Sequence, residues 1–227
     1  TILDKQVPVT DSSTSHPLPN QLIVGQNPYL NISVSEAPNA SSTVQLDGAS
    51  KSYTYNSTDK KIIVAPDSTL APGKHTIIVN IIDTQGNVGI SQTWDFWIDN
   101  FTTSINTNPA IFKFAGNLVD TTDGTEQQQV NISTYGAGYT VYAFIPNSID
   151  DGFGNEITDV EIKETNGVWT SLNGTNFVQV AQVAKLTTPS DTPIATNYVF
   201  DLRSTITQIL AAGEYDGKLE FVVLPEY

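Results

Sequence analysis

Two histidines, His16 and His75, are the only imidazoles in 227 residues, and a serine triad needs a working one. His16 lies in a Ser/Thr/Pro-rich connector. His75 opens a β-branched run, where Tyr215 stands in a second, similar stretch, so both read as structural. The 24 Asp and Glu include the stretch Asp150, Asp151 and Glu156, followed by Asp159 and Glu161. Hard cations such as Ca²⁺ take several oxygens from a compact loop. This spacing is not that of an EF-hand, however, and Asp151-Gly-Phe-Gly-Asn155 is explained as a tight turn. Carboxylate pairs can also cleave glycosidic bonds, but that chemistry needs a deep cleft, which two small sandwiches rarely provide. With no Cys, a thiol nucleophile, a Cys-rich zinc site and a disulfide scaffold are excluded. Ten Lys and Arg against 24 acids, with Arg203 the single Arg, leave no cationic footprint for nucleic acid. No catalytic residue and no cofactor is assigned, and the chain reads as a non-enzyme.

Aromatic and amide side chains offer other chemistry. Trp94, Trp97, Trp169 and nine Tyr suggest sugar stacking, although Trp94 fits a core alternation and the other two fall in different halves. Lys113 and Lys218 lie on strand-like segments, where an isopeptide to Asn would suit a chain without disulfides. Six Asn-x-Ser/Thr sequons start at Asn31, Asn39, Asn56, Asn100, Asn131 and Asn173, against about four expected by chance from 18 Asn and 46 Ser and Thr. Glycosylation needs exposed acceptors. Asn39, Asn56, Asn100 and Asn173 sit in or beside predicted loops, and Asn31 and Asn131 share an Asn-Ile-Ser strand context.

The elements that would position these groups are β throughout. Leu30–Val34, Lys61–Val64, His75–Ile82 and Ser91–Ile98 are strand-like in the first half. Gly138–Ile145, Asp159–Glu164, Phe177–Ala184, Tyr198–Leu202 and Lys218–Leu224 are strand-like in the second. Pro-Asn, Asp-Gly, Pro-Gly and Gly-Asn turns punctuate them, as in antiparallel sandwiches. A helical period appears only over Ser204–Ala212. Asp83-Thr-Gln-Gly-Asn87 echoes Asp151–Asn155, and Leu70-Ala-Pro-Gly-Lys-His75 echoes Leu210-Ala-Ala-Gly-Glu-Tyr215. These echoes predict two related all-β sandwiches, residues 20–100 and 101–227. Residues 1–19 precede them as an extended tail and linker.

Residues 70–99 resemble the last two strands of immunoglobulin-like modules in bacterial and archaeal cell-surface proteins. The shared features are the Leu-x-Pro-Gly-x-His start, the Asp-x-x-Gly-Asn turn and the alternating apolar finish. The resemblance implies a surface location and a structural or adhesive role, and it implies no chemistry. The core set on these strands is His75, Ile77, Val79, Ile81, Trp94, Phe96 and Ile98. Ile78, Ile82 and Trp97 then face outward as a candidate apolar contact patch, to be covered by the second domain of the same chain or by another subunit.

The expected function is that of a secreted, N-glycosylated structural subunit of a filament or surface layer, with itself as main partner in a homopolymer. The layout resembles donor-strand filaments of archaea, the thread-like pili. Thr1–Thr10 would then complete a neighbour's sheet, seating Ile2, Leu3, Val7 and Val9 in apolar pockets. The alternative is a carbohydrate-binding or adhesive module of a larger surface protein, working through Trp97 or Trp169. A chain that begins Thr1-Ile2-Leu3 reads as processed or cut. No run approaches the apolar length of a membrane span. Five Lys face nine acids up to residue 100, and five basic residues face 15 acids beyond it, so the acidity belongs mainly to the second half. Hydroxyls and amides take over the solvation that charge usually provides, which fits exposure outside the cell.

Overall fold

The computed structural model describes residues 5–65, 69–107, 112–115, 121–123, 127–147, 149–172, 176–205 and 214–227. The chain divides into two units. One comprises Thr1–Asn100 with Leu186–Ile194 and Tyr227, the other Phe101–Lys185 with Ala195–Glu226.

The first unit contains β1 (Thr10–His16), β2 (Leu22–Ile23), β3 (Leu30–Val34), β4 (Thr43–Leu46), β5 (Ala49–Lys51), β6 (Thr54–Asn56), β7 (Lys61–Val64), β8 (Gly73–Asn80) and β9 (Gln92–Ile98). They form two sheets, ordered β1-β3-β7-β6 and β2-β9-β8-β4-β5. In immunoglobulin lettering the first sheet is A-B-E-D, and the second carries C, F and G as β4, β8 and β9. This unit is therefore an immunoglobulin-like β-sandwich.

Period-2 alternation builds its core. β3 and β8 bury every second residue. In the β8–β9 ladder His75 faces Phe96 and Ile77 faces Trp94. Leu30, Ile32, Val44, Ile62, Ile77, Val79, Phe96 and Ile98 are all buried in one cluster. Each such side chain contributes roughly 1.5–3 kcal/mol on removal from water. The expected core set on β8 and β9 is fully buried, with Ile81 just beyond β8.

The second unit contains β10 (Thr102–Thr107), β11 (Phe112–Ala115), β12 (Thr121–Asp123), β13 (Gln128–Thr134), β14 (Gly138–Phe144), β15 (Ile149–Asp150), β16 (Glu156–Ile157), β17 (Val160–Glu164), β18 (Thr170–Ser171), β19 (Val178–Val183), β20 (Ile194–Thr205), β21 (Glu214–Gly217) and β22 (Glu220–Glu226). Its largest sheet runs β10-β13-β20-β17-β18, with β12 beside β20. The others run β11-β21-β15-β16 and β19-β14-β22. The A-B-E-D order recurs as β10-β13-β20-β17, and β14 and β22 take the C and F places. Val130, Ile132, Val141, Ile162, Phe200 and Leu202 form its buried center. Tyr139 and Tyr198 meet there edge to face and share a 3.1 Å hydroxyl hydrogen bond. Burial, then that bond, push the Tyr198 hydroxyl well above the ordinary tyrosine range.

Three expectations are corrected. The stretch 10–16, expected as free tail and linker, is β1, paired antiparallel with β3. Its hold is mainly main-chain, so apolar patterning could not reveal it. Trp97 does not face solvent; it is 3% exposed, with β2 alongside it in register and the Lys74 ammonium 5.6 Å over its ring. Ile78 and Ile82 are half-buried, so the three do not form an exposed apolar patch. Ser204 and Thr205 belong to β20, and the rest of the expected helix lies outside the described residues.

The buried Trp94 Nε1 donates to the Pro17 carbonyl at 2.9 Å, tying the segment after β1 to β9. Trp94→Phe removes the N–H donor and trims the buried indole to a smaller ring, so orphaning that carbonyl costs about 1–3 kcal/mol and the space left behind adds to the loss. A lower urea midpoint with an unchanged m-value is the expected result, and an unchanged midpoint would show that the bond carries no stability.

Candidate functional site

Neither histidine is placed for catalysis. His16 is exposed on β1. His75 is buried, its Nδ1 2.7 Å from an Asp47 carboxylate oxygen and its Nε2 2.7 Å from the Ala71 carbonyl. The other Asp47 oxygen accepts the Thr76 amide at 2.9 Å. Both ring nitrogens are thus spent joining the β4–β5 turn, where Asp47 takes φ 53°, to the start of β8.

The acidic loop is a turn. Asp151 Oδ1 accepts the Phe153 and Asn155 amides at 2.8 and 3.1 Å, and its Oδ2 accepts Asn155 Nδ2 at 2.6 Å. Asp150 Oδ1 accepts the Gly152 amide, and Glu156 is exposed. Both Asp151 oxygens and Asp150 Oδ1 thus serve donors of the turn itself, and no group of three or more metal-ligating side chains occurs among the described residues. Asp83 builds the same turn: Oδ1 accepts the Gln85 and Asn87 amides at 2.9 and 2.7 Å, and Oδ2 accepts Asn87 Nδ2 at 2.6 Å. Gly86 and Gly154 occupy matching φ values of 89° and 92°, a region that L side chains avoid. The sequence echo is therefore real as chemistry. Its location differs, since Asp83 lies between β8 and β9 whereas Asp151 joins β15 to β16.

Of the aromatic candidates, Trp97 is buried. Trp169 packs against two cations, Lys163 Nζ at 4.6 Å and Arg203 Cζ at 4.3 Å from its ring. Arg203 also donates to Glu161 at 2.6 Å. Trp169 therefore stacks on its own sheet's cross-strand charges. Lys218, offered for an isopeptide, is 61% exposed and paired with Glu220.

The described sequons differ in exposure. Asn100 is exposed; Asn31, Asn39, Asn56 and Asn131 are half-buried; Asn173 lies outside the described residues. Asn31 and Asn131 occupy equivalent B strands, β3 and β13, each flanked by buried residues. Thr102 and Ser133, the hydroxyl residues of two sequons, face one another across β10–β13. With Ser104, Asn131 and Asn197 they line a groove of about 310 Å³ whose polar groups are hydroxyls and amides.

At the N-terminus, Val9 N donates to Ser35 Oγ at 2.8 Å and Val9 O accepts Ser35 N at 2.9 Å. Pro8 is buried, its carbonyl pressed onto Gly89 so that a Cβ there would lie 2.4 Å from that oxygen. The flanking Val7 and Val9 are 49% and 56% exposed. β1 then bulges between Asp11 and His16. The Asp11 carboxylate accepts Ser13 Oγ, the Ser13 amide and Thr14 Oγ1, which hold it below the ordinary aspartate range. Ile2 and Leu3 lie outside the described residues.

Asp83 and Asp151 also titrate below the ordinary value. Burial alone would raise Asp83, but the Asn87 side chain and the turn amides outweigh it. For Asp151 the Asn155 side chain is the largest influence and exceeds the opposing burial. A depressed folded pKa contributes stability present above the unfolded value and lost as pH falls through the folded one. Urea midpoints should therefore drop below about pH 4, and Asp83→Asn with Asp151→Asn should flatten that drop. A variant retaining the full acid sensitivity would show that other carboxylates govern it.

No curated protein matches the chain. Residues 4–100 match the family model of the bacterial Ig-like domain. That match spans β1 to β9, so the first unit is similar to bacterial Ig-like domains in sequence as well as in strand order.

Proposed function

We propose that the chain is a surface-protein module of structural type: a secreted, N-glycosylated subunit of a cell-surface filament or layer, joined to its neighbours by N-terminal strand donation. The similarity to bacterial Ig-like domains supports the coarse part, a non-catalytic surface module. Both ring nitrogens of His75 and both oxygens of Asp151 are engaged within the chain, which agrees with a structural role. No helix among the described residues is long and apolar enough to cross a membrane.

The observation that carries strand donation is the state of the N-terminal segment. It forms an edge strand in which only Thr10 and Ser15 are buried, and Val7 and Val9 ahead of it point apolar side chains into solvent. A strand held mainly by main-chain bonds can exchange them for equivalent bonds on another sheet edge, where its apolar side chains gain burial. The half-buried and exposed sequons supply acceptors for sugars that would keep such a polymer solvated.

Deleting Thr1–Thr10 should abolish filaments seen by electron microscopy while the chain keeps its β-type circular dichroism. Undiminished filaments would overturn strand donation. Intact mass of native material should show hexose-containing increments that disappear singly with Asn31→Gln and Asn131→Gln; an unmodified mass would remove glycosylation from the proposal.

A further inference from the structure

We infer that the groove on the outer face of β10, β13 and β20 is a seat for neutral sugar, and that its occupant is the glycan carried by Asn131 of the same chain. The inference rests on the glycosylation reading and adds to it the place where one glycan lies.

Strand alternation builds the groove. Val130 and Ile132 of β13 are buried, so Asn131 and Ser133 face the other side. Ser104 and Thr102 of β10 stand directly across from them. β20 flanks the opposite edge of β13. Its Tyr198 and Phe200 are buried, which turns Asn197 and Ala195 outward, where both are exposed. These six residues line the groove of about 310 Å³, a size at the lower end of small-ligand sites. Asn131 lies on the middle strand of the three. A sugar bonded to its Nδ2 therefore starts inside the groove, with lining on either side.

The lining selects the chemistry. It includes no charged residue. The charges of the same face, Glu161 with Arg203 and Lys163 with Asp201, pair with one another farther along β17 and β20. An ion would find no counter-charge in the groove. Among the described residues, no side-chain hydrogen bond engages Thr102, Ser104, Asn131, Ser133 or Asn197. On the outer face of β8 and β9, by contrast, Lys74 and Thr76 are both bound to Asp95. Hydroxyls and amides both donate and accept, so the idle groups of the groove match the hydroxyls of a sugar. The Thr102 and Ala195 methyl groups offer apolar contact to its C–H bonds.

The matching sequon of the first unit has other neighbours. Asn31 lies across from His16 on one side and Ile63 on the other, neither a hydroxyl nor an amide. A glycan there has no comparable seat, although both Asn residues occupy strand B.

The test uses the full-length glycosylated chain. Peptide mass first reads occupancy at Asn131. Nuclear Overhauser contacts should then join sugar protons at Asn131 to the methyl groups of Thr102 and Ala195, with none from a sugar at Asn31 to its cross-strand neighbours. Ser104→Arg puts a bulky side chain into the groove at an exposed position outside both sequons. It should leave occupancy unchanged and erase the contacts. An occupied Asn131 whose sugar touches neither methyl group would overturn the seat and leave glycosylation standing, as would contacts that survive Ser104→Arg. An unmodified Asn131 would overturn the seat together with glycosylation at that site.

Discussion

Register is the constraint on which both units depend. In the first unit a core exists because His75 meets Phe96 and Ile77 meets Trp94 across β8 and β9. A slip of one residue would turn Lys74, Thr76 and Asp95 inward, since side chains alternate with period two. Three devices hold the register. The Asp83 carboxylate closes a turn on its own backbone amides, His75 bridges Asp47 and the Ala71 carbonyl, and Trp94 hydrogen-bonds Pro17. The outer face then carries what the inner one rejects: Lys74 pairs with Asp95 at 2.9 Å, and Thr76 donates to the same carboxylate at 2.7 Å.

Most of this was legible in the residues, for a physical reason. A strand with one buried face must alternate, and the runs Leu30–Val34 and Lys61–Val64 begin and end where the strands do. β1 was illegible because Thr10–His16 has no apolar alternation; its pairing is main-chain and its bulge is held by Asp11. Alternation sets Trp97 on the face of β9 away from the core cluster, but it fixes only the side a residue faces and cannot tell what covers that side. The candidate chemistry was harder still to read, since His75 and Asp151 are identifiable from sequence but the atoms that occupy them are not.

The echoes between the halves separate into two kinds. The Asp-x-x-Gly-Asn turn recurs with the same hydrogen bonds but between different strands, so it reflects a local solution that any tight reversal can reach. Asn-Ile-Ser recurs on strand B of both units, with Ile32 and Ile132 buried at the same point of the A-B-E-D order. The second kind is the stronger sign of kinship, because it preserves place as well as type. Tyr215, the counterpart expected for His75, is likewise buried, though it lies on β21 ahead of β22 whereas His75 lies within β8, and burial raises its hydroxyl pKa.

Edges are where the two units part. The edges of the first are blunted: β1 bulges, β2 is two residues long, and β5 and β6 are three each. Short or irregular edges of this kind discourage pairing with other chains. In the second unit β16 and β18 are likewise two residues long and β19 pairs irregularly with β14, while β10 and β22 are longer. β10 runs six residues in unbroken register, but the side chains it exposes are mostly Thr, Ser and Asn, which solvate well. β22 runs as far with Val222, Val223 and Leu224 in its middle, and acids only at its ends, Glu220 and Glu226. A chain with so little charge could have guarded that edge with a single lysine. That it places valines and a leucine there leaves β22, which among the described residues pairs only with β14, without the charged guard common on edge strands.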